Sequence, residues 1–227
     1  MTDDVTGLRA QVAAASRRLA DAGLLVGTAG NVSARAGDRV AVTATGVVLG
    51  GCEPADVTVV SLAGEVLEGD LAPTSEIELH LGLYAATATA AVVHTHAPYS
   101  TAVACVLDEL PVLHYQQLSL GGAIRVAPYS TFGTAELAAD VRAALEGRQA
   151  ALMANHGSVA VGASLDQAVE HALLLEWLAT LHHRASALGT PRTLTDDEQL
   201  AVITAAVARS YGTTRPSSRP AQPGVQP

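Results

Sequence analysis

His94-Thr95-His96 places two imidazoles two residues apart, directly after the apolar run Ala91-Val92-Val93. On a β-strand, residues i and i+2 face the same side, so both rings would project together. Two neutral imidazoles a few ångströms apart make half of a divalent-metal site. A third imidazole stands in Asn155-His156-Gly157, after a second apolar strand, where glycine lets the backbone bend to aim a ligand. Three histidines with an open fourth position is the geometry of catalytic zinc. A hydrogen-bonded core histidine is the plainer role for any one of them; three at strand ends favour the metal. His80 falls four residues after Glu76 on one helix face, where it supports such a site from behind or simply packs. His171 and His182-His183 belong to a later helix, and the pair faces solvent or complements the helix end.

Glu76 follows Pro73-Thr74-Ser75 in the first turn of a predicted helix. An acid there complements the helix dipole and needs no further role. The same geometry also suits chemistry: amide N–H groups at a helix start, with the Thr74 and Ser75 hydroxyls, make an anion site, and Glu76 stands beside it as a base. Two further polar turns, Gly30-Asn31 and Thr45-Gly46, could join it. No P-loop and no G-x-G-x-x-G fingerprint is present, so nucleotide readings are weak.

The elements that must position these residues alternate irregularly. Leu8, Val12, Ala15 and Leu19 share one face of a helix over residues 5–22, which Gly23 stops. Residues 27–31 read as a turn, 39–43 as a strand with Val40 and Val42 on one side, and 57–61 with 65–67 as a hairpin about Ala63-Gly64. Pro73 opens a helix to about residue 87; residues 90–96 form a strand, and Pro98 starts a helix to about 106. Short strands at 124–127 and 150–154 flank a helix over 134–146 with Gly147 past its end. The capping boxes Ser164-Leu165-Asp166-Gln167 and Thr195-Asp196-Asp197-Glu198 open helices to about 188 and 210. Helices mixed with strands imply an α/β or α+β chain with a covered sheet.

The chain has 227 residues, the span of one domain with a short appendage. Apolar residues are 49 %, enough for a packed core. Net charge is −9 and aromatics are 3 %, which argues against nucleic-acid binding by either electrostatics or base stacking. Residues 79–107 carry no Asp, Glu, Lys or Arg, but three histidines and many hydroxyls make buried core the reading, with no membrane span. The first residues hold acids and no signal-like apolar core, and Cys52 and Cys105 allow no disulfide framework, so a cytoplasmic location is expected. Residues 213–227 hold four of the ten prolines and almost no large apolar side chains, and are expected to be a disordered tail.

Five segments, Gly30-Asn31-Val32-Ser33-Ala34-Arg35, Thr43-Ala44-Thr45-Gly46, Pro73-Thr74-Ser75-Glu76, His94-Thr95-His96 and Asn155-His156-Gly157, occur in the order and spacing of the class II aldolase/adducin superfamily. The chain resembles most its bacterial L-fuculose-1-phosphate aldolase branch, over about residues 5–212, the span expected to form the aldolase-like domain. The resemblance implies a three-layer α/β/α fold around a mixed, largely antiparallel central sheet. It also implies a cyclic homotetramer with active sites between subunits. By position, His94, His96 and His156 resemble the zinc ligands, one ion per chain, and Glu76 the catalytic acid/base, which also touches the metal when no substrate is bound. Asn31, Thr45, Gly46, Thr74 and Ser75 match the phosphate site, with Thr74 standing where serine is usual. Tyr115, in His114-Tyr115 ahead of Gly121-Gly122, matches a tyrosine that reaches a neighbour's site as proton donor; Tyr211 resembles a second tyrosine on a mobile C-terminal segment.

The chemistry so implied is cleavage of a ketose 1-phosphate, fuculose 1-phosphate-like, to dihydroxyacetone phosphate and a short aldehyde through a metal-stabilised enediolate. All thirteen basic residues are Arg, so a lysine Schiff-base aldolase is excluded. Alternatives on the same scaffold are a pentulose-phosphate epimerase, disfavoured because that branch carries Asp where this chain has Glu76, and a sugar-phosphate dehydratase. A non-catalytic adducin-like module is the third, disfavoured by the intact histidines.

Overall fold

The computed structural model of the chain describes residues 5–209. These divide after Thr193 into two compact units. The first contains helix α1 (Val5–Asp21), strands β1 (Asn31–Ala36), β2 (Arg39–Thr43), β3 (Val57–Ser61) and β4 (Val66–Glu68), helix α2 (Ile77–Ala86), β5 (Ala91–Thr95) and α3 (Pro98–Ala104). It continues with β6 (Glu109–Leu110), β7 (Ile124–Ala127), α4 (Ala135–Ala144), β8 (Ala150–Met153), β9 (Gly157–Gly162) and α5 (Leu165–Leu188). The second unit is described as helix α6 (Asp196–Arg209), opened by the reciprocal Thr195 and Glu198 capping bonds that the sequence predicts.

The nine strands form one sheet in the order β4-β3-β2-β1-β5-β9-β8-β7-β6. Among the described residues only β7 and β8 pair in parallel. Both faces are covered, and the period-2 alternation divides the strands between them. Ala91 and Val93 of β5 join one apolar cluster with Val12 and Leu19 of α1, Val103 of α3 and Leu175 of α5. Val92, between them, joins the opposite cluster with Leu79 and Leu83 of α2 and Leu137 and Val141 of α4. This is the three-layer α/β/α arrangement with a mixed, largely antiparallel sheet. The uncharged run 79–107 supplies most of α2 and all of β5 and α3, and among the described residues no helix is long and apolar enough to cross a membrane.

Three local expectations change. Residues 31–36 and 157–162, read as turn or unassigned, are strands β1 and β9 and lie at the sheet's centre. Helix α2 begins at Ile77 rather than at Pro73, because the preceding segment is drawn out beside the end of β2. Pro73 forms a bridge with Ala44, Thr45 N–H donates to Ala72 C=O at 3.0 Å, and Thr74 N–H donates to Thr43 C=O at 3.1 Å. Those bonds bring Thr45-Gly46 alongside Thr74-Ser75.

Candidate active site

The register of β1 on β5 sets Asn31 opposite His94 and Ser33 opposite Val92. Val92 belongs to the face covered by α2 and α4, so Asn31, Ser33 and His94 all project toward α2. Leu79 and Leu83, each buried, anchor that helix; full burial of one such side chain is worth roughly 1.5–3 kcal/mol. Glu76 stands at its N-cap position, makes no side-chain capping bond and turns its carboxylate to the same face.

The three imidazoles meet at one point. Ring centroids are 4.8 Å apart for His94 and His96 and 4.9 Å for each of the other two pairs, all edge-on. His94 and His96 bring their Nε2 atoms within 3.0 Å. His156 enters from the tight β8–β9 turn, closed by its own N–H to Met153 C=O, with Asn155 in the left-handed region at φ 54°. Gly157 is required next: a Cβ there would overlap the Thr95 carbonyl oxygen. Gly30 plays the same part before β1, where an added Cβ would lie 2.7 Å from the His94 carbonyl oxygen.

Glu76 stands against this trio. Its Oε2 lies 3.1 Å from His94 Nε2, and its Oε1 lies 3.5 Å from His156 Nε2. Oε1 is buried without a hydrogen-bond partner. His94 Nδ1 lies 2.9 Å from the Ser158 carbonyl oxygen, which can only accept, so Nδ1 carries a proton and Nε2 is the nitrogen left to offer a metal its lone pair. Lone pairs therefore converge with a carboxylate, and the arrangement calls for positive charge at its centre. Tetrahedral zinc holds nitrogen ligands about 3.3 Å apart, given bonds near 2.0–2.1 Å. The ligand atoms of His94, His96 and His156 lie within 4.8 Å of one another, so this donor set fits a divalent metal. The backbone hold on His94 is the kind of support that fixes a ligand's tautomer.

Electrostatics agree with that use. Burial lowers His96 to about 4, with the neighbouring imidazoles adding to the effect, and lowers His156 as well. Both rings are thus neutral ligands at neutral pH. Burial alone would raise the Glu76 carboxyl, but the adjoining His94, the Asn31 amide and His156 hold it well below the usual carboxylate range.

A cleft of about 320 Å³ opens over the trio. It gathers every residue expected at a phosphate, Asn31, Thr45, Gly46, Thr74 and Ser75, together with Glu76, His96 and His156. His94 is fully buried beneath them. Among the described residues no arginine lines the cleft. The helix-start amides are less available than the sequence suggests: those of Glu76 and Ile77 are turned back onto Thr74. Tyr115 lies elsewhere, at the start of a 3-10 turn, half-exposed beside His114, whose ring also meets Trp177. Tyr211 and residues 213–227 lie outside the described residues. His171 donates to Val161 C=O within the core, and the His183 ring meets Tyr99.

Sequence reasoning missed Thr28 and the segment holding Tyr129, Ser130 and Phe132, which also line the cleft. Tyr129 and Phe132 are 66 % and 65 % exposed. Gly133 explains their approach, since a Cβ there would lie 2.7 Å from the Ser75 carbonyl oxygen. The available signal was a pair of aromatics around a glycine turn in a chain with only 3 % aromatics.

Fold, imidazole trio and adjoining carboxylate define a metal-dependent lyase scaffold. Residues 10–183 match the family model described as Class II Aldolase and Adducin N-terminal domain. A 5-methylthioribulose-1-phosphate/5-deoxyribulose-1-phosphate aldolase of Rhodospirillum rubrum is 40 % identical over 83 % of this chain and 86 % of its own. An L-fuculose phosphate aldolase of Escherichia coli is 38 % identical over 80 % and 85 %. A solved L-fuculose 1-phosphate aldolase superposes with TM-score 0.83 at 32 % identity, covering 90 % of this chain and 97 % of that one. The chain belongs to the class II aldolase and adducin family, as one of its aldolases.

Proposed function

We propose that the cleft cleaves, and in reverse forms, the C3–C4 bond of a ketose 1-phosphate, giving dihydroxyacetone phosphate and a short aldehyde. The observation that carries the reading is the place of Glu76: it adjoins the imidazole trio on one side and Thr74-Ser75, with Thr45-Gly46, on the other. A proton-moving group thus stands between a metal position and an anion cradle. The relatives' names carry several sugar phosphates, and the shared phosphorylated end is what this cradle suits.

Asn31, Thr45, Gly46, Thr74 and Ser75 hold the phosphate through neutral donors. His94, His96 and His156 would hold a divalent metal, zinc by its nitrogen donors, which would supply Lewis-acid polarisation of the substrate's carbonyl. In cleavage the C4 hydroxyl gives its proton to the group on the aldehyde side, its oxygen becomes the aldehyde carbonyl, and the electron pair of the C3–C4 bond passes to C3, which takes a proton that Glu76, ionised at rest, relays from solvent. Condensation reverses each transfer. Tyr115, offered by a neighbouring copy in a homotetramer, handles the proton on the aldehyde-side oxygen, and Tyr211 assists there. The two free thiols, Cys52 and Cys105, suit the cytoplasm.

The test is a panel of ketose 1-phosphates, those of fuculose, rhamnulose, 5-deoxyribulose and 5-methylthioribulose, with coupled detection of dihydroxyacetone phosphate. Release from at least one is expected. A pentulose-phosphate epimer or a dehydrated sugar phosphate as product, with no dihydroxyacetone phosphate from any member, would assign the scaffold's other chemistries instead.

A further inference from the structure

Behind Glu76 a chain of side chains runs through the protein interior. Asn31 Nδ2 lies 2.8 Å from Glu76 Oε2, and Asn31 Oδ1 lies 2.5 Å from His80 Nε2. His80 Nδ1 lies 2.6 Å from Ser33 Oγ, which lies 2.6 Å from the Tyr84 hydroxyl. None of the five is more than 5 % exposed. The chain arises from two matched spacings. Glu76, His80 and Tyr84 recur every four residues along α2, an advance of about 6 Å per step. Asn31 and Ser33 recur every two residues along β1, an advance of about 6.8 Å. The two stripes therefore interleave.

The carboxylate sets the polarity of the whole row. An ionised carboxylate only accepts, so the Asn31 amide must present N–H to it. The Asn31 carbonyl oxygen then faces His80, so His80 carries its proton on Nε2. Its Nδ1 is left as an acceptor and takes the Ser33 hydroxyl proton. The Ser33 oxygen in turn accepts from Tyr84. Each member has one consistent role, and burial removes the water that could serve a flipped arrangement. Reversing Asn31 would set a carbonyl against a carboxylate and an N–H against the His80 N–H.

We infer that His80 is a positioning residue that locks the Asn31 amide and, through it, the Glu76 carboxylate, leaving Oε1 as the oxygen that exchanges the proton with substrate. Oε2 is held by Asn31, whereas Oε1 has no hydrogen bond and faces the cluster. The inference rests on the proposed role of Glu76 and adds to it which oxygen works and what holds it.

Two substitutions separate positioning from packing. In His80→Gln, Nε2 sits the same number of bonds from Cα as the imidazole Nε2 and still donates to Asn31. In His80→Asn, the amide reaches only the Nδ1 position, so the bond to Ser33 survives and the bond to Asn31 is lost. His80→Gln is expected to keep kcat within about threefold of wild type, whereas His80→Asn loses about 10–100-fold in kcat. A readout independent of turnover is the Asn31 side-chain amide pair in ¹H–¹⁵N spectra of metal-free protein. The pair stays sharp and exchange-protected in wild type and His80→Gln, and broadens in His80→Asn. Should His80→Asn fail to fold, Ser33→Ala tests the same lock, with a smaller kcat loss and weaker amide protection. Equal kcat losses in the Gln and Asn variants, or an unaltered amide pair in His80→Asn, overturn the inference. A wild-type enzyme inactive on every ketose 1-phosphate overturns the proposed function, while the amide spectra still decide the role of His80.

Discussion

Asn31 and His94 lie directly opposite each other across the β1–β5 ladder, and both reach the same carboxylate oxygen, Glu76 Oε2, at 2.8 and 3.1 Å. Sheet register therefore builds the site. A slip of one residue would turn both Asn31 and Ser33 to the α1–α5 side and put Val32 and Ala34 against the carboxylate. The pairing is protected by apolar residues on both faces, which makes the register costly to change.

Metal removal is the first test of the trio. Dialysis against a chelator is expected to abolish cleavage, and zinc or another divalent ion to restore it, with about one ion per chain by elemental analysis. His156→Ala is expected to reduce metal content while keeping the fold, because its ring is partly exposed above the buried His94. Full activity in metal-stripped protein would remove the metal from the mechanism.

Glu76→Gln keeps the side-chain shape and an oxygen for Asn31 but cannot carry the proton. Turnover is expected to fall about 10²–10⁴-fold with fold and metal content retained. The measurement is kcat alongside the rate of solvent proton exchange into dihydroxyacetone phosphate. Turnover within a factor of a few of wild type would return Glu76 to the plain role of an acid at a helix start.

Gly157→Ala probes how the third imidazole is aimed. Its Cβ would overlap the Thr95 carbonyl oxygen and crowd the His96 ring at 3.2 Å, so β9 must move away from β5. Overpacking of this kind costs about 1–3 kcal/mol, and the shift is expected to weaken metal binding as well. Urea unfolding and a metal titration check the two effects; a variant matching wild type in both would show that the turn has room to spare.

His80 gives a pH dependence of known sign. Burial is the main cause that lowers it from 6.5 to about 3. Above pH 6.5 the ring is neutral in folded and unfolded chains and adds no slope. Below that, the unfolded chain binds a proton that the folded chain refuses, so stability falls as pH falls, until about pH 3. The slope approaches about 1.4 kcal/mol per pH unit for this one group. Urea unfolding of metal-free wild type and His80→Gln between pH 6.5 and 5 is expected to show the steeper loss in wild type. Parallel slopes would mean that the folded protein protonates His80 without penalty.

Strand β2 was legible because Val40 and Val42 alternate cleanly, and α1 because its apolar residues keep helical spacing. Strand β1 was not, although it alternates too: its polar residues Asn31 and Ser33 face a buried polar row rather than solvent or a greasy core. Strand β9 begins and ends on glycine and so resembles a loop. The start of α2 was misplaced because proline signals a helix opening locally, whereas backbone bonds to Thr43 and Ala72 are tertiary. The same limit governs the site. His94 and His96 could be paired from strand periodicity, and His156 matched by type and strand-end position. The gathering of Asn31, Thr45, Gly46, Thr74 and Ser75 into one cleft came from family resemblance, since nothing local ties three separate segments together.

Tyr115 does not line the cleft of its own chain. It stands half-exposed beside His114, whose imidazole also meets, edge-on, the indole of Trp177, 45 % exposed. Aromatic residues grouped on a surface suit contact between copies better than solvent. If a neighbour's Tyr115 completes each site, its phenol gives a proton to the aldehyde oxygen in condensation and takes it back from the C4 hydroxyl in cleavage. Tyr115→Phe is then expected to slow C–C cleavage while sparing the Glu76-dependent proton exchange on dihydroxyacetone phosphate, whereas Glu76→Gln suppresses both. The two inactive variants also complement each other. Chains of Tyr115→Phe and Glu76→Gln, unfolded and refolded together, form some interfaces that pair an intact Glu76 with an intact Tyr115, and cleavage is expected to reappear there. Native mass spectrometry counts the hybrids. Hybrids that form and regain no activity would mean that Tyr115 acts within its own subunit or outside the chemistry altogether.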